Sequence, residues 1–533
     1  MSMKRLSFLW HFLCPAMLLL CIGLFAAPAR GSGDKVLRVS IGMTDIKTLD
    51  PGLVTTTQDM FLADMLFSGL LRFKPGDVSA LEPDLAESYT LSPDGMLLSF
   101  KLRKGVMSHP FRGYPKGVEI TSDDVLFTIA KNADPKKSTT AATFQNFVAS
   151  APDPYTVESR LRQRVPTPER AFANFRTGCI IPRKAYEALG ERRFKTRPVG
   201  TGPFMLSDYQ PGQKIVLAAN TAYFRGKPKL DRVEVLFMPE INSREFALSS
   251  GAVDIIDGSK EQLWVDKMKK AKGVVVDVFG PGELAFFNFN VAKAPISDLR
   301  VRQALSLATD IDSLRLFKGK DIAEEICGIV APVMPGGLTC EDAREAGVGH
   351  AYDPERAKAL LKEAGFPDGF DMTIVSSERA PFRQILENVQ AQWKKIGVNM
   401  QIDVVDHSTF HTRIRQNTSP VVYYISQRPD ANEWLTQFFH SDAIVVKGKA
   451  PITNFSNCDT LDGLIEQARV EVDPAKQQSL WKEAQVRILK ELYALPLYLQ
   501  LQVWAHSDRV DYGFPLKSSY TTAPNITELT AKK

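Results

Sequence analysis

Between Asp353 and Val405 the sequence changes hydrophobic period three times, and the order of those changes leaves few folds open. Asp353 stands before Pro354, and Ala357, Leu360, Leu361 and Ala364 recur at helical spacing as far as Gly365. An aspartate accepts the unpaired N–H groups of a first helical turn, proline's fixed φ suits the first helical position, and glycine ends the run. A short apolar run, Met372 to Val375, comes next. Phe382, Ile385, Leu386, Val389, Trp393 and Ile396 then mark one face of a second helix, which stops at Gly397, and Val398 to Val404 alternates as a strand does. Strand, helix, strand is a βαβ unit, whose strands run parallel through a right-handed crossover. The expected class is α/β, with a largely parallel sheet covered by helices.

The N-terminal half carries the same mixture. Val36 to Ile41 reads as a strand, and Leu49-Asp50-Pro51 leads through Thr55-Thr56-Thr57 into an apolar helix, Met60 to Leu71. Two alternating runs between Tyr89 and Leu102 flank Ser92-Pro93-Asp94-Gly95, a turn-forming string, and make a hairpin. Thr121-Ser122-Asp123-Asp124 caps a helix through Ala130. The patches Pro110 to Gly117 and Lys447 to Pro451 read as surface loops, and no repeat or low-complexity tract breaks the chain. At roughly 100 to 200 residues per domain, the chain holds about three structural units.

Lys4 and Arg5 precede a mostly apolar run from Leu6 to Phe25 and then Ala26-Ala27-Pro28-Ala29, the pattern of a secretory leader over residues 1–29. No other apolar run approaches the ~20 residues of a membrane span. Leu20 before Cys21 stands where lipoprotein processing needs a small residue, which disfavours a lipid anchor. The formal net charge of +5 includes Lys4 and Arg5, so the remainder is close to neutral. The one dense basic run, Lys267 to Lys272, reads as a solvated helix face, and no nucleic acid is expected as a partner. Export places Cys179, Cys327, Cys340 and Cys458 in an oxidising compartment. Cys327 and Cys340 bracket the loop Ala331-Pro332-Val333-Met334-Pro335-Gly336-Gly337 and are the expected disulfide. The pairing of Cys179 with Cys458 stays open.

Four stretches resemble the family 5 extracellular solute-binding proteins, the binding components of ABC importers for dipeptides, oligopeptides, nickel chelates, opines and some sugars. The first runs Leu81-Glu82-Pro83-Asp84-Leu85-Ala86-Glu87-Ser88, through Phe100-Lys101-Leu102-Arg103-Lys104-Gly105-Val106, to Ile120-Thr121-Ser122-Asp123-Asp124-Val125. The second is Pro198-Val199-Gly200-Thr201-Gly202-Pro203-Phe204 with Tyr223-Phe224-Arg225-Gly226-Lys227-Pro228. The third is Phe286-Phe287-Asn288-Phe289-Asn290 with Leu299-Arg300-Val301-Arg302-Gln303-Ala304-Leu305, and the fourth begins at Tyr352-Asp353-Pro354 and includes the βαβ unit. The resemblance implies a bilobed periplasmic-binding-protein fold of type II-like design. One lobe would span 36–285 plus 495–533, with an inserted subdomain near 76–196, and the other 286–494. Hinge strands would lie near Phe286 to Asn290 and Ala494 to Tyr498. It further implies a periplasmic monomer that passes a peptide or other small solute to membrane permease subunits and needs no cofactor.

The resemblance also suggests where a ligand would lie. The first ligand strand would be Val54 to Thr57, with Thr55 and Thr57 as contacts; the plainer reading is a threonine-rich helix cap. The second would run Tyr423-Tyr424-Ile425-Ser426-Gln427-Arg428 into Pro429-Asp430, with Tyr424, Gln427, Arg428 and Trp434 as contacts. Peptide binders place an aspartate where this chain has Gln427, and a neutral amide does not neutralise an α-ammonium in a closed cleft. Arg428 offers bidentate donors for a carboxylate or phosphate, or is a loop arginine facing solvent. Trp434 either stacks on ligand or packs within the lobe. Arg379 sits between a strand end and a helix, where α/β sheets bind ligands. His407 and His411 are four apart, as helical metal ligands would be, but with Asp406 as the carboxylate beside them they read as a surface helix start, and no metal is expected. An exported hydrolase would need a nucleophile or metal signature, and no GxSxG, HExxH or GxxxxGK[ST] string occurs.

Overall fold

The structure, a computed structural model, describes residues 35–533; the leader expected over 1–29 lies outside the described residues. Two long strands, Val274–Phe289 and Ala494–Ser507, pair antiparallel along most of their length. Their register breaks between Phe279 and Glu283, where the chain runs Gly280-Pro281-Gly282. The break divides the interior. Before it, Val274, Val276, Val278 and Phe279 pack with Val503, Trp504 and Ala505 against segments of the N-terminal half. Beyond it, Leu284 to Phe287 and Phe289 pack with Ala494, Leu495 and Leu497 to Leu499 in a core built from residues of 284–499, with Val78 and Tyr520 at its margin.

These strands belong to a nine-stranded mixed sheet. Val421–Ser426 forms one edge and pairs only with Val274–Phe289. Ile255–Asp257, Val36–Ile41, Arg232–Phe237, Lys214–Ala219 and Phe204–Gln210 continue the order on the far side of Ala494–Ser507. Only the pairings of Val36–Ile41 with Arg232–Phe237 and Ile255–Asp257 are parallel in this sheet, so the expectation of a largely parallel sheet is corrected. The βαβ unit is present, but its strands Phe370–Ser377 and Val398–Val405 pair only with each other, from Phe370 with Val398 to Ser377 with Val405. Its helix Ala380–Lys394 buries Phe382, Ile385, Leu386, Val389 and Trp393, the apolar face read from spacing. Parallel pairing is thus confined to where a crossover forces it, and the long strands meet antiparallel from distant parts of the chain.

A separate four-stranded antiparallel sheet, in the order Ala86–Leu91, Leu97–Leu102, Thr156–Leu161, Phe147–Asp153, packs with helix Ser122–Asn132 over its own core of Leu98, Phe100, Val125, Ile129, Phe144, Phe147 and Phe172. The first helix is shorter than expected. It spans Thr57–Leu66, and Leu71 opens the strand Leu71–Lys74. The Leu66 carbonyl accepts from the Gly202 N–H at 2.9 Å. A Cβ at Gly200 would lie 2.0 Å from that same oxygen, so the glycines of Gly200-Thr201-Gly202 let backbone close over the helix end.

Cys327 and Cys340 are joined by a disulfide of 2.11 Å, while Cys179 and Cys458 are buried and free. Their separation of 13 residues gives a loop whose closure is worth about 3 kcal/mol in the chain-entropy model. Cys327→Ala or Cys340→Ala is expected to lower the unfolding free energy of the C-terminal core by about that amount, read as an earlier urea midpoint in tryptophan fluorescence.

Candidate functional site

A cavity of about 710 Å³ opens where the strand edge at Val421–Ser426 faces the four-stranded subdomain. The chain leaves that strand as Gln427-Arg428-Pro429-Asp430 and turns directly into helix Ala431–Phe439. Asp430 caps the helix, its carboxylate accepting from the Glu433 N–H at 2.8 Å. Trp434, Leu435, Phe438 and Phe439 bury the apolar face, which leaves Asn432, Glu433 and Gln437 on the cavity wall. One short turn therefore presents both an arginine and a pair of carboxyls to the same space.

Arg428 is held in place from three directions. Its Nη1 donates to the Gln427 carbonyl at 2.8 Å and to Ser426 Oγ, its Nε donates to Gln437 Oε1, and its plane lies 5.0 Å from the Phe438 ring centre and 5.9 Å from that of Trp434. Its Nη2 makes no hydrogen bond among the described residues, so this one guanidinium nitrogen is preorganised for an incoming acceptor. Burial depresses its pKa, the cost of holding this cation away from water.

The opposite wall brings more arginine. Arg170 donates from Nη2 to the Val78 carbonyl at 3.0 Å and to the Tyr520 hydroxyl at 3.3 Å, and lies over Phe73. Arg162 donates from Nε to the Gln145 carbonyl at 3.1 Å. Arg176 has a φ of 52°, the left-handed region, and its guanidinium stacks on Phe175. The Tyr520 hydroxyl donates to the Pro429 carbonyl at 2.6 Å and so ties the C-terminal tail to the turn. Thus four arginines face the two carboxyls of Asp430 and Glu433. Burial, and then the neighbouring charge of Asp430, push Glu433 up to about 7, while burial raises Asp430. Gln437 Nε2 donates to Glu433 Oε2 at 3.0 Å. The space is net positive near neutral pH, and its lining has no His, Cys, Lys or Ser. It can hold an anion.

Of the residues singled out from sequence, Thr57, Gln427 and Arg428 meet on this cavity. Val54 to Thr57 is not a strand: Thr56 caps a helix by accepting from the Asp59 N–H, Thr57 is its first residue, and Thr55 is exposed away from the cavity. Tyr424 is buried against Phe286, Phe438 and Phe455, and Trp434 reaches the site only through the face of Arg428. Arg379 precedes helix Ala380–Lys394 and is exposed outside the cavity. Arg162, Arg170, Arg176, Glu433 and Tyr520 were not singled out. Glu433 lies three residues beyond the quoted Asp430, but the others stand on segments with no local mark of function.

The whole is a two-lobed solute-binding protein, and the comparisons with known proteins place it. Residues 80–444 match the model for bacterial extracellular solute-binding proteins, family 5, and the chain belongs to that family. The heme-binding protein A of Haemophilus influenzae is 26% identical over 460 residues, 82% of this chain and 82% of that protein. The dipeptide-binding protein of Escherichia coli is 27% identical over 449 residues, 79% of this chain and 81% of that protein. The solved structure of the binding protein MoaA of A. tumefaciens R10 in complex with mannopinic acid is 37% identical, covers 94% of this chain and 100% of its own, and superimposes with a TM-score of 0.77.

Glu433 carries a testable sign. Its folded pKa of about 7 lies above the ordinary 4.5, so the folded state holds this proton more tightly, and the stability it contributes is present below the ordinary value and lost as pH rises toward 7. Glu433→Gln is expected to be more stable than the parent at pH 8 and to lose that advantage by pH 4.5, measured as paired thermal unfolding midpoints across that range.

Proposed function

We propose that this chain is the periplasmic binding component of an ABC importer, and that it captures a compact peptide-like solute through a carboxylate received by Arg428. The observation that carries this reading is the guanidinium of Arg428, fixed by Ser426, Gln427, Gln437 and Phe438 with its Nη2 left without a hydrogen bond among the described residues, on the cavity wall. Holding a buried cation in that pose without an anion is costly, and a carboxylate or phosphate that accepts from the free Nη2 relieves the cost. Asp430 and Glu433 supply acceptors for the ammonium of a zwitterionic solute. A volume of about 710 Å³ lies within the range of roughly 300–1,000 Å³ typical of small-molecule pockets. A short solute suits it better than a long extended peptide.

Under this proposal the leader over 1–29 exports the protein, and the lobes are 36–285 with 495–533, carrying the inserted 76–196 subdomain, and 286–494. The two long strands act as the hinge, closure replaces chemistry, and the closed monomer docks on permease subunits. A second reading keeps all of this but makes the solute an opine, an amino acid conjugated to a sugar. It is favoured by the likeness to MoaA solved with mannopinic acid, and by Gln427, whose neutral amide suits a secondary amine or hydroxyls better than a free α-ammonium.

Calorimetric titration with di- and tripeptides and opine acids, each beside its carboxamide, tests the reading. The acid is expected to bind and the amide to fail. Arg428→Ala should weaken the acid at least about 30-fold, the usual cost of leaving one partner of a buried charge pair alone. Equal binding of acid and amide would overturn it.

A further inference from the structure

Outside the cavity, two imidazoles face each other on helix His407–Ile414. His407 Nε2 and His411 Nε2 are 3.2 Å apart, with ring centres at 4.5 Å. The pair is half-buried between Phe382, Phe410 and Tyr424. His407 Nδ1 lies 3.0 Å from Ser377 Oγ at the end of strand Phe370–Ser377. Arg415 Nη1 lies 3.4 Å from His411 Nδ1 and donates to the His411 carbonyl at 2.9 Å.

We assign the hydrogens that satisfy these contacts together. His407 donates from Nδ1 to Ser377 Oγ, so its Nε2 carries a lone pair. His411 accepts from Arg415 at Nδ1, so its Nε2 carries the hydrogen and donates to His407. Both rings are neutral near pH 7. Burial and then Arg379 lower His407; burial, then His407 and Arg415, bring His411 down to about 4.

We propose that His407 and His411 form a two-nitrogen chelating site for a divalent transition cation, Cu²⁺ before Ni²⁺ or Zn²⁺. Imidazole nitrogens bind such ions at about 2.0–2.1 Å, and two nitrogens 3.2 Å apart then subtend about 100–105° at the metal, between the square and tetrahedral angles. The spacing of the two nitrogens therefore already matches a chelate, and small ring rotations would aim both at one ion. Ser377 orients His407 from behind, as outer partners of ligating histidines do. Binding asks only that His411 move its hydrogen from Nε2 to Nδ1, with no net proton gained or lost. Arg415 opposes this, because its Nη1 faces that Nδ1 and adds positive charge, while Glu378 and Asp406 oppose its field. The remaining coordination positions stay open to water or to a chelating solute.

Titration of the tag-free exported chain with Cu²⁺, followed by calorimetry and by electron paramagnetic resonance, tests the site independently of the solute reading. One ion per chain is expected, with hyperfine structure from two nitrogens. His407→Gln and His411→Gln should each weaken binding at least about tenfold, and Ser377→Ala by about tenfold. Arg415→Ala should tighten binding, a gain that misfolding cannot imitate. Unchanged affinity in either histidine variant, or weaker binding in Arg415→Ala, would overturn the proposal.

Discussion

The pairing of Val274–Phe289 with Ala494–Ser507 is the constraint on which the rest depends. A strand buried at both ends in different cores must serve two bodies at once, and here both strands do so on either side of the register break at Phe279 and Glu283. Backbone hydrogen bonds keep the two strands together, while the interruption at Gly280-Pro281-Gly282 removes ladder bonds where the cores change. Under the proposed lobe closure, rotation would fall on these few residues. The edge strand Val421–Ser426 rides on the same ladder, so the position of Arg428 is inherited from it.

The site's electrostatics follow from this placement. A turn that leaves a sheet edge and caps a helix within four residues exposes Arg428, Asp430 and Glu433 together, with the helix's apolar face anchoring it from below. The arginines of the subdomain come from the other direction, on loops tied to the C-terminal half by contacts such as Arg170 with Tyr520, Tyr520 with Pro429 and Arg164 with the Glu471 carbonyl. Positive charge is therefore divided between two walls of the cavity, and under the proposed closure an anion between them would lower their repulsion. The likeness to proteins named for heme, a dipeptide and mannopinic acid fits a scaffold whose ligand is set by such local side chains.

Much of the fold was legible because its signals are local. The Asp353-Pro354 cap, the apolar face of Ala380–Lys394, the Ser92 to Gly95 hairpin turn and the Cys327–Cys340 loop each act within some fifteen residues of chain. The first helix was read too long because Phe67, Leu70 and Leu71 prolong its apolar run past Ser68-Gly69; it ends at Leu66, whose carbonyl accepts from Gly202 and lies against Gly200. The sheet was read as parallel because the partners of its central strands lie some two hundred residues away, beyond any periodicity. Gln427 and Arg428 stood out within one quoted segment, whereas Arg162, Arg170 and Arg176 reach the cavity from loops whose sequence resembles ordinary polar surface.

The most direct measurement is native mass spectrometry of the protein purified from the periplasm, followed by identification of whatever small molecule it releases. One solute per chain, bearing a free carboxylate and absent from the Arg428→Ala variant, is the predicted result. A bound solute with no acidic group, retained undiminished when Arg428 is removed, would contradict the account.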